Sequence, residues 1–408
     1  MVVLRVLLDV LLLSAGGLFA LFGIYLAALA FAALVGTRRR KPVERGAPSS
    51  RVTVLVPAYN EADSITRCVA SLRTQTYPES LTDVVVVADN CTDDTAAVAA
   101  AAGARVLDRD EPSRRGKGQA LAWAMTQILA EDRPPDAIVV VDADSIAVPE
   151  LLERLVHVFE RGAPVVQGES LLELDDEAPS LRAVAMLLIN RVRPAGRALF
   201  GLPCSLAGNG MLFGRDLLRA HPWNAFSSVE DAEYELSLRA QGIRPAFAKG
   251  AIVRSGNAPN AAAAERQQLR WEGGKLYLAR RFLPGLTASA IRTRDPWLLD
   301  AAWELAVPPL GFVAVPAAAG TAAAAALAWA GLVDAWAVAP FLVALVSVPV
   351  FVLVGLVAAR APAAAYRALI GAPAFLVRKV LRARGLLRYR VDDWTRTERA
   401  GESASDRG

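Results

Sequence analysis

Residues 10–35 form an apolar stretch without a charged side chain. The stretch exceeds the ~20 residues that a helix needs to cross a bilayer core, and it is too short to cross twice. The alternative is a cleaved signal peptide, but the run is overlong and lacks a convincing cleavage site. A basic cluster, Arg38 to Lys41, follows directly, and the positive-inside bias places it in the cytoplasm. We expect one membrane anchor followed by a cytoplasmic domain.

Two more apolar segments, residues 305–332 and 336–357, flank a turn at Asp334, and each is long enough to span a bilayer. They predict a membrane hairpin, with a buried pair of helices in a soluble protein as the alternative. Pro308, Pro309 and Pro316 are tolerated in a membrane helix when its neighbours satisfy the freed carbonyls. The cations after the hairpin again favour the cytoplasm. They are Arg360, Arg367, Arg378, Lys379, Arg382, Arg384, Arg388 and Arg390.

Composition restricts the partners and the metal chemistry. The hydrophobic share of 54% exceeds the usual ~45–50% of soluble domains, and the excess lies in the terminal blocks. The net charge of +4 is small, and the basic residues lie beside apolar blocks, which suits lipid headgroups and makes nucleic acid an unlikely partner. Cys68, Cys91 and Cys204 have neither disulfide nor zinc spacing. With His157 and His221 the only histidines, a histidine-rich metal centre is excluded, and any metal must be held mainly by carboxylates.

Short β-branched runs at residues 52–56, 83–88 and 137–141 predict buried parallel strands. Helical patterns separate them. The first has an apolar stripe from Ile65 to Leu72 that Asp63 or Ser64 could cap, and the second covers residues 119–129. Strands that alternate with helices predict an open α/β sheet, which binds its ligands at the carboxyl ends of the strands.

Polar loops, residues 57–61, 89–95 and 142–144, follow these three strands. Carboxylates and amides in such loops can hydrogen-bond a nucleotide, whose diphosphate needs a cation to offset repulsion. Asp142 and Asp144, two residues apart at a strand end, can turn toward one Mg²⁺ or Mn²⁺ that bridges the phosphates. An Asp-x-Asp pair alone is weak support, because such pairs are common on solvated turns. Its place after a buried strand strengthens the prediction.

Arg114-Arg115-Gly116-Lys117-Gly118-Gln119 lies just before a helix, so backbone amides and cations can face an anion there. A diphosphate is the natural ligand. An ordinary basic surface loop is the alternative.

Ser228-Val229-Glu230-Asp231 opens a predicted helix whose inward face carries Ala232, Leu236 and Ala240. The carboxylates could simply favour the helix N-terminus. A carboxylate at a helix N-terminus is also well placed to accept a proton from an acceptor hydroxyl, and we assign Asp231 as the general base.

Gln267, Arg270 and Trp271 lie at spacings i, i+3 and i+4 on a helical stretch and share one face. Arginine could stabilise a departing diphosphate while tryptophan stacks on a sugar or acceptor ring. A plain amphipathic surface helix is the competing interpretation.

In chain order, these motifs resemble the processive-type family 2 glycosyltransferases, which include chitin-oligosaccharide, poly-N-acetylglucosamine, hyaluronan and cellulose synthases. The resemblance covers roughly residues 50 to 285. The motifs that carry it are Pro57-Ala58-Tyr59-Asn60-Glu61, the Asp89 loop, Gly116-Lys117-Gly118, Asp142-x-Asp144, Glu230-Asp231 and Gln267-x-x-Arg270-Trp271.

The resemblance implies a GT-A fold, Rossmann-like with a mostly parallel sheet, and inversion at the anomeric carbon. It assigns the Pro57 loop, with Tyr59 and Glu61, and Asp89 to the nucleoside, and it assigns Lys117 to the diphosphate. It assigns Asp142 and Asp144 to the ribose and the metal-bound phosphates, and it assigns Asp231, with its neighbour Glu230, to the general base. Gly208 and Asn209 would lie in a loop that lines the acceptor. The residues that would border the acceptor terminus and the diphosphate are Gln267, Arg270 and Trp271.

The expected organisation is an anchor and basic linker (1–49), a GT-A domain (50–290), a membrane hairpin (291–360), and a basic interfacial helix with a polar tail (361–408). The partners would be a nucleotide sugar, UDP by resemblance, a saccharide or lipid acceptor, and membrane lipids. Two membrane helices after the domain are fewer than the larger synthases use, which leaves room for a lipid acceptor, an oligomer or an export partner. The rival functions are a sugar nucleotidyltransferase and a non-catalytic sugar-binding membrane subunit.

Overall fold

The computed structural model describes residues 2–38, 48–175, 179–257 and 260–381. The chain divides into two compact units. Of the described residues, unit 1 comprises 2–38, 174–175, 179–202 and 304–381, and unit 2 comprises 48–173, 203–257 and 260–303.

Unit 2 contains one sheet with the strand order β3-β2-β1-β4-β7-β6-β8-β5. Strand β1 pairs in parallel with β2 and β4, and β2 pairs in parallel with β3, so the three predicted parallel strands are confirmed. Strand β7 runs antiparallel to β4 and β6, while β5 runs antiparallel to β8. The strands are β1 (Val52–Ala58), β2 (Thr82–Asp89), β3 (Arg105–Arg109), β4 (Ala137–Val140), β5 (Ser145–Ala147), β6 (Val165–Leu172), β7 (Met211–Gly214) and β8 (Ala246–Ser255).

The described helices fall in both units. They are α1 (Val2–Arg38), α2 (Ala62–Arg73), α3 (Thr95–Ala101), α4 (Lys117–Leu129), α5 (Leu151–Glu160), α6 (Leu181–Leu187), α7 (Arg193–Leu199), α8 (Arg215–Ala220), α9 (Glu230–Ala240), α10 (Ala261–Thr293), α11 (Pro296–Ala306), α12 (Gly311–Trp329), α13 (Ala339–Ala359), α14 (Ala363–Ala368) and α15 (Ala372–Leu381). A π-helical turn, Leu188–Val192, joins α6 to α7.

Apolar cores cover both faces of the sheet, because side chains alternate between the faces along each strand. On one face, Val54 packs with Ile65 of α2 and Leu151 of α5. On the other, Leu55 packs with Leu121 of α4. The sheet is therefore buried on both sides, as the continuous apolar runs predicted.

Two local predictions about helices of unit 2 were wrong, the second of them in part. Helix α2 begins at Ala62 with Glu61 at the N-cap position, and no side chain caps it, so neither Asp63 nor Ser64 has that role. In α9, Leu236 is buried as predicted, but Ala232 is only half-buried and Ala240 is exposed. The buried side chains also include Tyr234 and Leu238, so the buried face of α9 only partly coincides with the predicted one.

Three helices of unit 1, within the described residues, are long and apolar enough to cross a membrane: Val2–Thr37, Gly311–Trp329 and Ala335–Ala359. The predicted arrangement of one before and two after the domain is confirmed at this level. A Cβ placed on Gly16 would lie 2.9 Å from Pro340, and one on Gly23 would lie 2.8 Å from Ser347. Helices α1 and α13 therefore run parallel, with their C-terminal ends at the same end of the unit.

The predicted first arm of the hairpin, residues 305–332, is not one helix. The chain leaves helical structure at Val307 and resumes at Gly311, because Pro308 and Pro309 cannot donate the backbone bonds that an α-helix needs. Pro316 lies inside α12, as expected for a membrane helix. The second arm starts with a 3₁₀ turn, Ala335–Val338, before α13.

The expected interfacial helix, residues 366–387, is two helices, α14 and α15, over its described part. Ile370 and Leu381 are exposed there, as on a surface that contacts lipid. The predicted basic residues Arg39, Arg40, Lys41, Arg382, Arg384, Arg388 and Arg390, and the polar tail 400–408, lie outside the described residues.

Sequence analysis assigned Leu174–Leu202 to the catalytic domain, whereas the structure groups it with the apolar helices of unit 1. A Cβ on Gly355 of α13 would contact Leu188 at 2.6 Å, and Gly196 of α7 packs against the backbone of Leu29 in α1. The segment therefore packs on two of the candidate membrane helices.

Candidate active site

The loops after β1 and β2 are joined by hydrogen bonds at the carboxyl ends of these strands. The Asn60 side chain donates to Thr92 Oγ1 (2.9 Å) and accepts from the Thr92 backbone N–H (2.8 Å). The Glu61 backbone N–H donates to Thr95 Oγ1 (2.7 Å). Pro57 lies in β1, and Tyr59 follows it half-buried. The structure thus brings together the first two predicted loops.

Lys117, at the start of α4, joins three other predicted motifs. Its Nζ lies 2.6 Å from Asp142 Oδ1, 2.6 Å from the Gly208 carbonyl oxygen and 3.7 Å from Glu230 Oε1. Burial alone would lower the pKa of Lys117, but the carboxylates of Asp142 and Glu230 outweigh it and raise the pKa. The lysine therefore stays charged at the centre of an acidic cluster.

Asp231 lies in the first turn of α9, beside the same cluster. A Cβ placed on Gly208 would lie 3.1 Å from Asp231 Oδ2 and 3.6 Å from Lys117 Nζ. Burial, followed by the charge of Glu230, raises the pKa of Asp231 to about 7, although Lys117 opposes the rise. A carboxyl group with that pKa can exchange a proton near neutral pH.

Asp144 is the second carboxylate of the Asp-x-Asp pair. Burial first, and the charge of Asp142 second, raise its pKa to about 6. A divalent cation would relieve this repulsion, so the pair fits a metal. Within the described residues no group of three or more His, Cys, Asp or Glu side chains is placed to hold one. A cation here would need oxygen ligands from a bound diphosphate or water, as Mg²⁺ commonly does.

Asp89 forms a buried ion pair with Arg109, a residue that sequence analysis missed. Burial outweighs the arginine and raises the pKa of Asp89. Arg109 also donates to Glu111 Oε2 (2.7 Å) and to the Arg114 carbonyl (2.9 Å). It therefore connects the Asp89 loop with the loop that leads to Lys117. Arg109 is the last residue of β3. Because this strand was not predicted, the sequence offered no reason to place Arg109 at the site.

Asn209, predicted in the acceptor loop, has a buried side chain that holds other parts of the site. Its Oδ1 accepts from the Asp142 backbone N–H (3.1 Å), and its Nδ2 donates to Ser145 Oγ (2.8 Å). Its backbone carbonyl accepts from Gln167 Nε2 (2.8 Å). Asn209 thus fixes the segment that carries Asp142 and Asp144. Neither Ser145 nor Gln167 was singled out from the sequence.

Gln267, Arg270 and Trp271 lie on α10 and are partly buried. Helix α10 packs at Gly274 directly against Val229, the residue before Glu230. Arg270 Nε is buried and has no hydrogen-bond partner in the described part of the chain. The meeting of these three residues with the carboxylates of the cluster stays a prediction.

The family model described as "Glycosyltransferase like family 2" matches residues 48–274, the segment that contains this cluster. The chain belongs to glycosyltransferase family 2. All site residues discussed above lie within the matched segment, so the fold and the ordered motifs point to one family.

Two curated relatives of this family 2 member are from Escherichia coli and Yersinia pestis. The uncharacterized glycosyltransferase YaiP of Escherichia coli K12 is 28% identical over 227 residues, 54% of each chain. The undecaprenyl-phosphate 4-deoxy-4-formamido-L-arabinose transferase of Yersinia pestis is 26% identical over 198 residues, 45% of this chain and 55% of its own. The chain spans about half the length of these relatives.

A solved mannosyltransferase from Pyrobaculum calidifontis, in complex with GDP-Man and Mn²⁺, is similar in fold, with a TM-score of 0.50 and 22% identity. The match covers 83% of this chain and 98% of that structure. Together with the strand order, this likeness confirms the predicted GT-A fold.

Proposed function

We propose that this family 2 member transfers a sugar, with inversion, from a nucleotide diphosphate donor to an acceptor at the cytoplasmic face of a membrane. One observation carries the proposal: Lys117, Asp142, Glu230 and Asp231, far apart in sequence, lie around Gly208. A cation, a metal-binding carboxylate and a base are the groups that such a transfer requires.

The donor would lie along the carboxyl ends of β1, β2 and β4. By resemblance, the nucleotide of the donor would be UDP. The loops with Tyr59, Glu61 and Asp89 would contact its nucleoside part, while Lys117 would bind its diphosphate. In support, Lys117 Nζ lies 2.6 Å from Asp142 Oδ1, so the lysine could also reach a phosphate bound near Asp142. Donor binding would exchange a carboxylate for a phosphate as the partner of this lysine.

Asp142 and Asp144 would hold a divalent cation, Mg²⁺ or Mn²⁺. Bound there, the cation would neutralise charge on the diphosphate and so favour its departure. The support is electrostatic, because burial and then the charge of Asp142 raise the pKa of Asp144, and a cation would stabilise Asp144 in its charged form.

Asp231 would accept the proton of the acceptor hydroxyl as that oxygen attacks the anomeric carbon. One carboxylate as base and direct displacement give inversion, without a covalent sugar intermediate. The pKa of about 7 supports this role, because a base works best when its pKa is near the working pH. Arg270, with its unpartnered Nε, would stabilise the leaving diphosphate, while Gln267 and Trp271 would border the acceptor.

A lipid-linked acceptor is our first choice, and a saccharide acceptor with chain extension is the second. The name of the Yersinia relative specifies transfer to undecaprenyl phosphate, a lipid. The three apolar helices would keep the enzyme beside such a substrate. The only support for processive polymer synthesis is the set of motifs shared with the processive-type family 2 glycosyltransferases.

The decisive experiment incubates membranes that contain the full chain with a panel of nucleotide sugars and analyses products by mass. One added sugar on a lipid supports single transfer, and a ladder of masses supports polymer synthesis. A parallel incubation with a nucleoside triphosphate and a sugar 1-phosphate tests the rival function, because a nucleotidyltransferase would release pyrophosphate there. Absence of turnover with every donor would favour a non-catalytic subunit.

We expect Asp231→Asn to bind the donor normally but to lose about 10²–10⁴-fold in transfer rate, because the base is gone. Asp216→Asn is the matched control, since its side chain is 91% exposed on the neighbouring α8, and it should retain full activity. Wild-type transfer by Asp231→Asn would remove Asp231 from the mechanism.

Asp144→Ala should weaken donor binding in the presence of Mn²⁺ but not in its absence. Calorimetry with a nucleoside diphosphate, with and without Mn²⁺, measures the difference. Equal affinities for wild type and variant would exclude Asp144 from the cation site.

A further inference from the structure

A buried charged cluster lies within unit 1, among the helices that could cross a membrane. Arg197 of α7 is 1% exposed; it hydrogen-bonds the Tyr25 hydroxyl of α1 and lies 3.0 Å from Glu304 Oε2 of α11. Arg193, one turn earlier on α7, lies 3.8 Å from Glu304 Oε1. Charged side chains inside a membrane protein are costly and usually mark a function.

The position of the cluster along α1 gives its depth. Near the other end of α1, Arg5 pairs with Asp334 in the turn between α12 and α13. Trp329 and Trp336 flank this turn and are exposed, as in the aromatic belt of a membrane interface. About twenty residues of α1 separate Arg5 from Tyr25, or about 30 Å of helix, which equals the thickness of the hydrocarbon core. The cluster therefore lies at the depth of the opposite headgroups.

The surroundings of the cluster agree with this depth. Beyond Tyr25, one face of α1 is covered by protein: Leu26 and Leu29 are buried, and Gly196 of α7 packs on the Leu29 carbonyl, where a Cβ would not fit. The segment that carries both arginines also exposes Ile189 and Phe200, which suits contact with acyl chains. The arginines are thus held at a boundary between apolar and polar surroundings.

Arg193 lacks a close anionic partner within the described residues. Its guanidinium lies 3.8 Å from Glu304 Oε1, which is too long for a hydrogen bond, whereas Arg197 lies 3.0 Å from Oε2 of the same carboxylate. Arg193 Nε is buried without a hydrogen-bond partner within the described residues. A buried donor left unpaired costs about 1–3 kcal/mol, and more when it is charged, so a further anion would be stabilised here.

We propose that Arg193, beside the buried Arg197–Glu304 ion pair, forms a binding site for the phosphate group of an anionic membrane lipid. Guanidinium groups suit this ligand, because their planar donors match phosphate oxygens in pairs. The lipid's acyl chains would lie along the apolar surface that includes Ile189 and Phe200. The site is independent of the transfer reaction proposed above, and its test needs no enzymatic activity.

The test uses the full chain purified in a neutral detergent and titrated with phosphatidylglycerol or phosphatidylcholine of the same acyl chains, followed by native mass spectrometry. We expect wild type to prefer phosphatidylglycerol. Arg193→Gln should lose about tenfold in affinity for it, as removal of one charge-assisted hydrogen bond predicts, and should bind phosphatidylcholine as before.

Arg367→Gln is the matched control, because it removes the same charge from an exposed position of α14. It should change the affinity for phosphatidylglycerol less than twofold. A tenfold loss in this control would show that general surface charge accounts for binding, and it would overturn the proposal.

Glu304→Gln tests the proposal with the opposite sign and guards against a misfolded arginine variant. Removing the competing carboxylate should raise the affinity for phosphatidylglycerol and make thermal stability depend on that lipid. A purely structural ion pair predicts lower stability with no gain in lipid affinity, and that result would contradict the site.

Two further arms identify the source of the phosphate. Inorganic phosphate at millimolar concentration should not displace phosphatidylglycerol, and displacement would overturn a lipid site in favour of a free-anion site. A polyprenyl phosphate should show the same dependence on Arg193, since it offers the same chemistry. Binding of either lipid that is insensitive to Arg193→Gln would refute the assignment.

Discussion

Burial and the charge of Glu230 both destabilise the charged form of Asp231. The carboxylate that the proposed reaction needs therefore lowers the stability of the fold. Its pKa is about 7 when folded, against about 3.9 in an unfolded chain. The folded state therefore binds a proton between these values, and the stability of the wild type falls as pH rises from about 4 to 7. An asparagine at position 231 carries no charge, so it does not lower stability in this way.

We therefore expect Asp231→Asn to melt at a higher temperature than wild type. The gain should be near zero at pH 4, grow through the interval and level off above pH 7. Tryptophan fluorescence of the detergent-solubilised chain, with Asp216→Asn as control, measures it. A gain independent of pH would contradict the raised pKa.

Asn209 supports the cation site without facing it. Asn209→Ala leaves the Asp142 amide without its acceptor, at an expected cost of about 1–3 kcal/mol. Because the Asp142 segment is then less ordered, Mn²⁺-dependent affinity for a nucleoside diphosphate should fall about tenfold or more. Ser255→Ala removes the hydroxyl that hydrogen-bonds Ser145 (2.8 Å) and accepts from Asn209 Nδ2 (3.4 Å), but it leaves the Asp142 amide with its acceptor. It should have a smaller effect in the same calorimetric titration. Equal effects would mean that Asn209 acts only through general packing.

The sequence located the loops of the site better than it located the partners of each side chain. Asp142 could be predicted to lie beside the Pro57 and Asp89 loops, because parallel strands end at one edge of a sheet. Lys117 and Asp231 do not follow predicted strands, so their place in the same site rests on the resemblance to family 2 glycosyltransferases. Asn209 could not be assigned its role, since the direction of its amide depends on Ser145 and on strand β7, which have no local signature.

At the scale of elements, the first turn of α4 is positioned by a close backbone approach. A Cβ on Gly118 would overlap the Ala225 carbonyl oxygen and lie 3.2 Å from Phe226 Cα, so only glycine fits there. Gly118→Ala should push this turn, with Lys117, away from Asp142. We expect weaker donor binding and a lower melting temperature.

Gly285→Ala is the matched control for that substitution. Gly285 lies on α10 with no atom within 4 Å of an added Cβ. Alanine favours helix there by about 0.5–1 kcal/mol, so this variant should melt slightly higher with unchanged binding. Thermal melts and donor titrations of both variants decide the matter, and unchanged donor binding in Gly118→Ala would contradict the proposed packing role.

Elements with a strong period or a long apolar run were predictable, whereas those defined by tertiary packing were not. Strand β1 follows from its own β-branched residues. The segment Leu174–Leu202 is different, because its arginines interrupt every apolar run and make it look like part of a soluble domain. Its place against α1 and α13 depends on Gly196 and on the pairing of Arg197 with Glu304, which only the fold reveals.

At the scale of the whole molecule, the candidate membrane helices predict the side of a membrane on which the proposed transfer would occur. Helices α1 and α13 run parallel, so α1 ends, and α12 begins, at the end of unit 1 opposite the Asp334 turn. We therefore expect the chain between α1 and α12 to leave and return on one side of a membrane. Basic residues follow the C-terminal ends of α1 and α13, so the positive-inside bias predicts that this side is cytoplasmic.

This arrangement predicts opposite accessibilities for two thiols. Cys91 is partly exposed in unit 2, while Cys68 and Cys204 are buried. A membrane-impermeant maleimide should label Cys91 only after cells are permeabilised, because it would lie in the cytoplasm. A cysteine introduced by Ala335→Cys, at an exposed position beside the Asp334 turn, should be labelled in intact cells. Cys91→Ala removes the background. Labelling of Cys91 in intact cells would place catalysis outside, where a cytoplasmic pool of nucleotide sugar could not supply it.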